Sequence, residues 1–543
     1  MKATVSPHNN TLRHTFVLAS LLLLVFPFYS CAEESAAVSD LQRAIQMVDA
    51  TMEKSFTDGN NFRMYDTYDT KSKGGSGVAD VWPYTAALEA HCSVLEALDA
   101  LKDEAPQLYA DNHDRFVKRL KQLYNALDYY RGTYTLNSYA QIRNWSIYGV
   151  HRGGSKGTAA VTGIENVYDD QMWICRELVR AYKLTGDNDY LTKAEYLANY
   201  CIDGWDCCLD ANGQEYGGIS WGPGYNSKHS CSNGPLIQPL VWLYEIYKTD
   251  DEQANLRFFY ILPDGTRTNE IRRHSDVYLE FARKIYAWQK EKLLDTSRGV
   301  YWDMLGAPGE IKYVGEGRNK YRDHVDTGGP TGTAYTYNTG TMLAGAAELY
   351  RVTGEQSYLD DLNAVCQKSF NFFAKGKRIS GVIYREWPTD DVATSGFNTW
   401  FDDVLMRAYA DAAPYNTTVY NSKSHVENAL LSFEQNLNYA FENYNRDNML
   451  PIHLLDGWGD SDVTKGFHQL AFASEYAVIA LWRQRVEKAA QGIESIHNSQ
   501  FIINNSKLNI QNSKVFDLLG RAISAHPSSK QILIQNNKKY VAQ

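Results

Sequence analysis

A twelve-residue segment recurs in this chain and restricts the folds open to it. Arg180 to Leu191 reads RAYKLTGDNDYL, and Glu348 to Leu359 reads ELYRVTGEQSYL. Each copy reads as a helix end, a turn holding a glycine and a new helix start. A glycine just past a helix supplies the left-handed backbone of a C-terminal cap. A degenerate copy without the glycine, WLYEIYKTDD, runs from Trp242 to Asp251. Ile174, Leu178, Ala181 and Tyr182 fall at i, i+4, i+7 and i+8, one face of a helix. The helical pattern dominates from about residue 38 to 487. Repeated helical hairpins bury their apolar faces against their neighbours. An open solenoid and a closed ring both satisfy that demand.

The stretches between hairpins are long and unusual. Tyr216 to Asn233 reads YGGISWGPGYNSKHSCSN, and Gly328 to Gly340 reads GGPTGTAYTYNTG. In a helical ring such loops gather at one end and form a cleft. Aromatic residues make up 13% of the chain, with 38 Tyr and 12 Trp. Flat rings stack on sugar faces, although large helical cores also consume aromatics. The net charge of -10 argues against a nucleic-acid partner and suits a neutral ligand.

The ends differ from the middle. Residues 1–31 read as a targeting segment: Lys2 and Arg13 precede an apolar run from Phe16 to Phe28. Two outcomes compete. Cleavage after Ala32 would release an ordinary exported protein. Alternatively Cys31 becomes the lipid-bearing first residue of a lipoprotein, the reading we favour, and Glu33-Glu34 resembles the export signal of Bacteroidetes surface lipoproteins. The expected location is then the outer membrane or cell surface, with periplasm or secretion as the alternative. Membrane contact would come only through that anchor. Residues 488–543 read as a linker, Asn498 to Ser513, and a short tail. In the tail, Val515 to Arg521 and the closing KKYVAQ resemble a type IX sorting domain. Of the remaining cysteines, Cys92, Cys175, Cys201, Cys207, Cys208, Cys231 and Cys366, none has paired zinc-ligand spacing. Cys175, Cys201 and Cys366 read as buried thiols. Cys207, Cys208 and Cys231 are candidates for a disulfide whose pairing stays open.

Adjacent aspartates occur five times: at 169–170, 250–251, 360–361, 390–391 and 402–403. Asp favours turns and first helical turns, so the dipeptide alone says little. Asp169-Asp170 has a richer setting. Glu165, Asn166 and Tyr168 precede it, and Trp173 opens an amphipathic helix behind it. The pair then sits at a helix N-terminus, where the helix dipole favours one ionised carboxylate. The second carboxyl, beside a like charge, stays protonated longer. Glycoside hydrolysis needs one group of each kind. Carboxyls on adjacent residues can lie about 5 Å apart, the separation of a retaining enzyme. Asp402-Asp403 in NTWFDDVLMRAY is the rival pair.

Four motifs in order resemble glycoside hydrolase family 76. Tyr168-Asp169-Asp170 followed by Trp173 is similar to its YDD-x-x-W signature. Gly217-Gly218-Ile219-Ser220-Trp221 looks like its GGGIxW loop less the first glycine, where Tyr216 stands. Lys228 and Asn233 fall where its K…N pair follows. Thr336-Tyr337-Asn338-Thr339-Gly340-Thr341 is similar to its YNQG segment, with Thr339 in place of Gln. The resemblance implies an all-α fold, an (α/α)6 barrel over residues 38–487. It implies hydrolysis of α-1,6-mannan with retention, no metal and no organic cofactor. Asp169 becomes the nucleophile and Asp170 the general acid/base. Tyr168, Trp82, Trp221, Lys228, Asn233, Tyr337, Asn338 and Trp400 become candidate contacts to α-mannan or its oligosaccharides. Asn338 has a second reading, as the cap of a helix starting near Gly340.

Two other classes share such a ring. One comprises unsaturated glucuronyl hydrolases, lyases and epimerases; lyases use a Tyr/His or Lys pair and epimerases histidines, for which His229 and His324 are available without a recognisable motif. A surface glycan-binding protein would keep aromatic loops while losing a dyad carboxylate. Both aspartates are present here.

Overall fold

The recurring segment forms the joint between two antiparallel helices. The first copy links α4 (Tyr168–Thr185) to α5 (Asn188–Asp203). Gly186 ends α4 at φ 70°, and its N–H donates to Tyr182 O at 2.7 Å. Asp187 then starts α5 by accepting from the Asp189 N–H at 3.0 Å. The second copy links α8 (Thr336–Thr353) to α9 (Gln356–Phe373) through Gly354 at φ 71°. The copy without glycine ends α6 (Ile237–Tyr247) on Lys248, which stays right-handed.

The computed structural model describes residues 35–498, apart from 58, 60, 251–254, 390–397, 421 and 460–461, together with four short strands between 515 and 541. The other helices are α1 (Ala36–Lys54), α2 (Val81–Leu101), α3 (Pro106–Leu127), α7 (His274–Leu293), α10 (Thr399–Ala412), α11 (His425–Tyr444) and α12 (Gly466–Asn498). The even-numbered helices α2 to α12 pack side by side in chain order, and α12 returns to α2. The ring therefore closes. Each odd-numbered helix from α3 to α11 folds back on the helix before it, and α1 packs on α12. This is an all-α (α/α)6 barrel, six helices inside and six outside.

Burial follows from position in the ring. Outer α3 buries a single stripe that includes Phe116, Leu120, Leu123 and Leu127, spaced for one helix face. Inner α8 is buried all round from Thr336 to Leu349. It has room for that because Gly340 lies against the α10 backbone, where a Cβ would stand 2.8 Å from Leu405 Cα. Among the described residues no helix is long and apolar enough to cross a membrane.

Several expectations need correction. Two strand hairpins interrupt the expected helical pattern: 131–137 pairs with 142–148, and 255–261 with 267–273. The last helix runs on to Asn498, past the expected domain end at 487. Short antiparallel strands at 515–516, 522–523, 532–535 and 538–541 fall in the tail. Cys207, Cys208 and Cys231 are buried free thiols, so they form no disulfide. Cys31, the rest of the targeting segment and Asp390-Asp391 lie outside the described residues.

Candidate active site

The inner helices direct their N-termini to one end of the barrel, and the cleft lies there. Trp82 is the second residue of α2, and Asp169 and Asp170 are in the first turn of α4. Tyr337 opens α8, Trp400 opens α10 and Phe467 opens α12. The loop before α6 adds Trp221, Tyr225, His229 and Cys231. Together with Asp80 and Asp303 these residues line a cleft of about 1010 Å³. Helix N-termini carry partial positive charge, so this end of the ring suits an anionic group.

The two aspartates sit in different surroundings. Burial pushes the Asp169 carboxyl up to about 6, while the Cys231 thiol, the backbone N–H of Asp170 and the Trp221 indole pull the other way. Asp170 is pushed well above the carboxylate range by burial, then by the charges of Asp169 and Asp80. Asp170 Oδ2 is buried without a hydrogen-bond partner. One carboxylate poised to ionise and one carboxylic acid poised to donate thus share the floor of the cleft. Trp173, one turn on in α4, has its ring 4.7 Å from that of Trp400, edge to face. Trp82 packs 5.7 Å from Trp400 and 5.0 Å from Phe467, making one aromatic wall. Trp221 stacks on His229 at 4.9 Å and makes another.

The Trp221 wall is held by residues that never reach the cleft. Gly217 and Gly218 both have positive φ, 72° and 75°, and a Cβ on Gly218 would stand 2.3 Å from the Trp288 ring. Buried Lys228 donates to Gly217 O at 2.5 Å and to Asp206 Oδ2 at 2.8 Å. Asn233 Oδ1 accepts from the Ile219 N–H at 2.8 Å, and its Nδ2 donates to Ile219 O and His229 O. The loop is then seated on the dyad helix, since Tyr168 N–H donates to Trp221 O at 2.8 Å.

The sequence profile of glycosyl hydrolase family 76 matches residues 125–255 and 266–436, more than half of the chain. The chain belongs to that family. It is therefore a glycoside hydrolase. A family 76 mannosidase of Bacteroides thetaiotaomicron VPI-5482 matches with a TM-score of 0.57 at 21% identity, over 82% of this chain and 100% of the other. An inactive variant of a Salegentibacter sp. HEL1_6 α-1,6-mannanase, in complex with α-1,6-mannotriose, matches at 0.53 and 20% identity, over 82% and 99%. A family 76 α-mannanase of Bacteroides thetaiotaomicron matches at 0.54 and 16%, over 83% and 97%. No curated protein matches.

The expected family 76 contacts divide in two. Trp82, Trp221, Tyr337 and Trp400 line the cleft with the dyad. Tyr168, Lys228, Asn233 and Asn338 do not. Tyr168 is buried against Tyr200, ring centroids 4.9 Å apart, because α4 already starts at its position. Lys228 and Asn233 are the loop clips just described. Asn338 is buried in the first turn of α8 beside Asp303, and caps nothing because that helix begins at Thr336. The rival pair faces elsewhere: Asp403 is buried, 3.3 Å from Arg407, and Asp402 lines a different cavity.

The sequence reading missed Asp303 and Asp80 on the cleft, and named His229 only for the lyase and epimerase classes. Asp303, a further carboxyl on the cleft, is pushed up to about 6 by burial, against the pull of Asn338. His229 is held down to about 4 by burial. Asp80 accepts from His151 Nδ1 at the rim, 2.7 Å away. Acidic Asp303 between Trp302 and Met304, inside an aromatic run, was the available signal.

The dyad sets a pH dependence. A reaction that uses Asp169 as nucleophile and Asp170 as acid starts with Asp169 ionised and Asp170 protonated. Activity should fall as pH drops through about 6, because Asp169 then gains a proton. It should fall again only at a pH well above the usual carboxylate range, as Asp170 loses its own. A kcat/KM profile between pH 4 and 9 checks this, with the two limbs belonging to the coupled pair. An acid limb near pH 4 would contradict the surroundings described for Asp169.

Proposed function

We propose that the chain hydrolyses α-1,6-mannosidic bonds of mannan, cutting internally and with retention of configuration. In this reading Asp169 is the nucleophile and Asp170 the general acid/base. The observation that carries it is the adjacent pair itself, two carboxyls with opposed ionisation on the floor of an aromatic cleft. The Salegentibacter α-1,6-mannanase supports the same placement, since its inactive variant replaces two adjacent aspartates. Adjacent carboxyls suit a retaining separation of about 5–5.5 Å, with no room for a water between them and the sugar. A cleft of about 1010 Å³ reaches the upper end of ligand sites, roughly 300–1000 Å³, and takes more than one sugar ring.

Debranched α-1,6-mannan should yield a ladder of oligosaccharides early in the reaction, and the first product seen by proton NMR should carry the α-anomer. Mannose alone from the first minutes would reject internal cutting. A β-anomer formed first would reject retention.

The targeting segment supports a separate proposal, that Cys31 is lipidated and anchors the enzyme at the cell surface. Cys31→Ala should shift the protein from the membrane fraction to a soluble one, read by immunoblot of fractionated cells. An unchanged distribution would reject the anchor.

A further inference from the structure

A second cavity of about 560 Å³ lies between α10, α11 and α12, away from the dyad. It shares the first turn of α10 with the cleft. Trp400 and Phe401 face the cleft, while Thr399 and Asp402 face this cavity. Its wall is aromatic: Trp387 stacks on Phe433 with ring centroids 4.4 Å apart, and Phe472 lies nearby. Three polar side chains line it from three helices. They are Asp402 on α10, Asn436 on α11 and Glu475 on α12, exposed by only 3%, 4% and 2%. Each holds one buried oxygen with no hydrogen-bond partner: Asp402 Oδ1, Asn436 Oδ1 and Glu475 Oε2. Their other contacts are already fixed. Asp402 Oδ2 accepts from Thr389 Oγ1 at 3.3 Å with the Thr336 hydroxyl also beside that carboxyl, and Asn436 Nδ2 donates to Arg385 O at 2.7 Å.

Buried polar groups are nearly always paired, because an orphan costs free energy. Three orphans from separate helices converging on one cavity call for a polar ligand. We propose that this cavity is a second carbohydrate site, which takes one neutral hexopyranose ring. The ring's C–H face would lie on Trp387. Its hydroxyls would reach the Asp402, Asn436 and Glu475 oxygens.

The chemistry excludes the other simple ligands. Burial raises the Asp402 and Glu475 carboxyls well above their usual range. Protonated carboxyls both donate to and accept from hydroxyls, and they hold a cation poorly. Among the described residues no group of three His, Cys, Asp or Glu side chains is arranged to hold a metal. An anion would meet Asp402 and Glu475 on the lining, with Glu386 and Asp456 already paired to Lys377, against the ammonium of Lys375. A wholly apolar ligand would leave the orphans unpaired. The mouth-shaped size, about 560 Å³, falls within the range of small-molecule sites, roughly 300–1000 Å³.

The test uses the full chain and three probes: the methyl α-glycosides of mannose, glucose and galactose. Crystals soaked in each should show a hexose ring on Trp387 for at least one probe. Calorimetric titration with that probe should show a binding step that Glu475→Met weakens at least tenfold. Glu475→Met removes the orphan acid while keeping its length. Trp82→Ala should leave that step unchanged while weakening any binding in the cleft. Soaked crystals of the unaltered chain keep the test decisive if Glu475→Met fails to fold. Density confined to the cleft for all three probes overturns the proposal. So does a binding step indifferent to Glu475→Met in a folded variant. Hydrolytic activity is not the readout, so the outcome is separable from the assignment of the dyad.

Discussion

Asp169→Ala should be inactive on every substrate, while Asp170→Ala should stall after the first chemical step. The two expectations differ because the two carboxyls differ in setting. Asp169 is half-buried in the first turn of α4, where the helix dipole and the Trp221 and Cys231 side chains favour its charge. Without it no glycosyl-enzyme bond can form. Asp170 is buried and its carboxyl is held protonated, which suits the proposed role of giving a proton to the leaving sugar. On mannan its loss should cost about 10²–10⁴-fold in kcat, which is about 3–5 kcal/mol of barrier. A mannoside with an acidic leaving group needs no such proton. Asp170→Ala should therefore form the intermediate from it, in a burst, and then stop. Water now lacks a base. Added azide needs none, so it should relieve the stall and release a mannosyl azide of retained configuration. Azide rescue of Asp169→Ala with a retained product would exchange the two roles. Full activity in both variants would remove the dyad from the mechanism. Asp303, another carboxyl facing the cleft and one also raised to about 6 by burial, would then be the pair-forming candidate. Asp402-Asp403 would not, because neither lines the cleft.

What the sequence made legible was local or ordered along the chain. The helical joints were legible because Gly186 and Gly354 each answer a backbone demand, positive φ, at the end of their own helix. The dyad was legible because four motifs in order locate it. Closure of the ring was not legible from residues alone, since α12 against α2 joins the two ends of the chain and no periodicity reports that distance. The direction of a side chain was equally hidden. Tyr168 and Asp169 are neighbours, yet one packs on Tyr200 in the core and the other faces the cleft. A first helical turn rotates successive residues by about 100°, so adjacency in a motif does not mean a shared surface. The hairpin at 131–148 was missed because its two short strands fall inside a stretch whose dominant pattern is helical.

Lys228→Met should unfold the protein more readily and spare the chemistry. Sequence resemblance placed Lys228 among the sugar contacts, but the structure buries its ammonium on Asp206 and Gly217 O. Burial lowers the Lys228 pKa, and the Asp206 charge partly restores it. Burial alone would raise Asp206, yet Lys228 and then His324 hold it below the usual value. Each charge therefore depends on the other. Removing the ammonium leaves a carboxylate that is 0% exposed with only His324 Nδ1 and the Cys208 N–H beside it. Breaking such a pair costs about 3–5 kcal/mol, read as a loss of roughly 5 °C or more in Tm. Lys228→Met with Asp206→Asn should recover part of that loss, because no buried charge is then left alone. Lys228 also grips Gly217, at the base of the loop that carries Trp221 to the cleft. At a temperature where the variant stays folded, KM should therefore rise as that wall loosens, with kcat within a few-fold of the unaltered enzyme. A variant of unchanged Tm whose KM still rose tenfold or more would return Lys228 to the substrate. A double variant no more stable than Lys228→Met would show that the stranded Asp206 charge is not the cause of the loss.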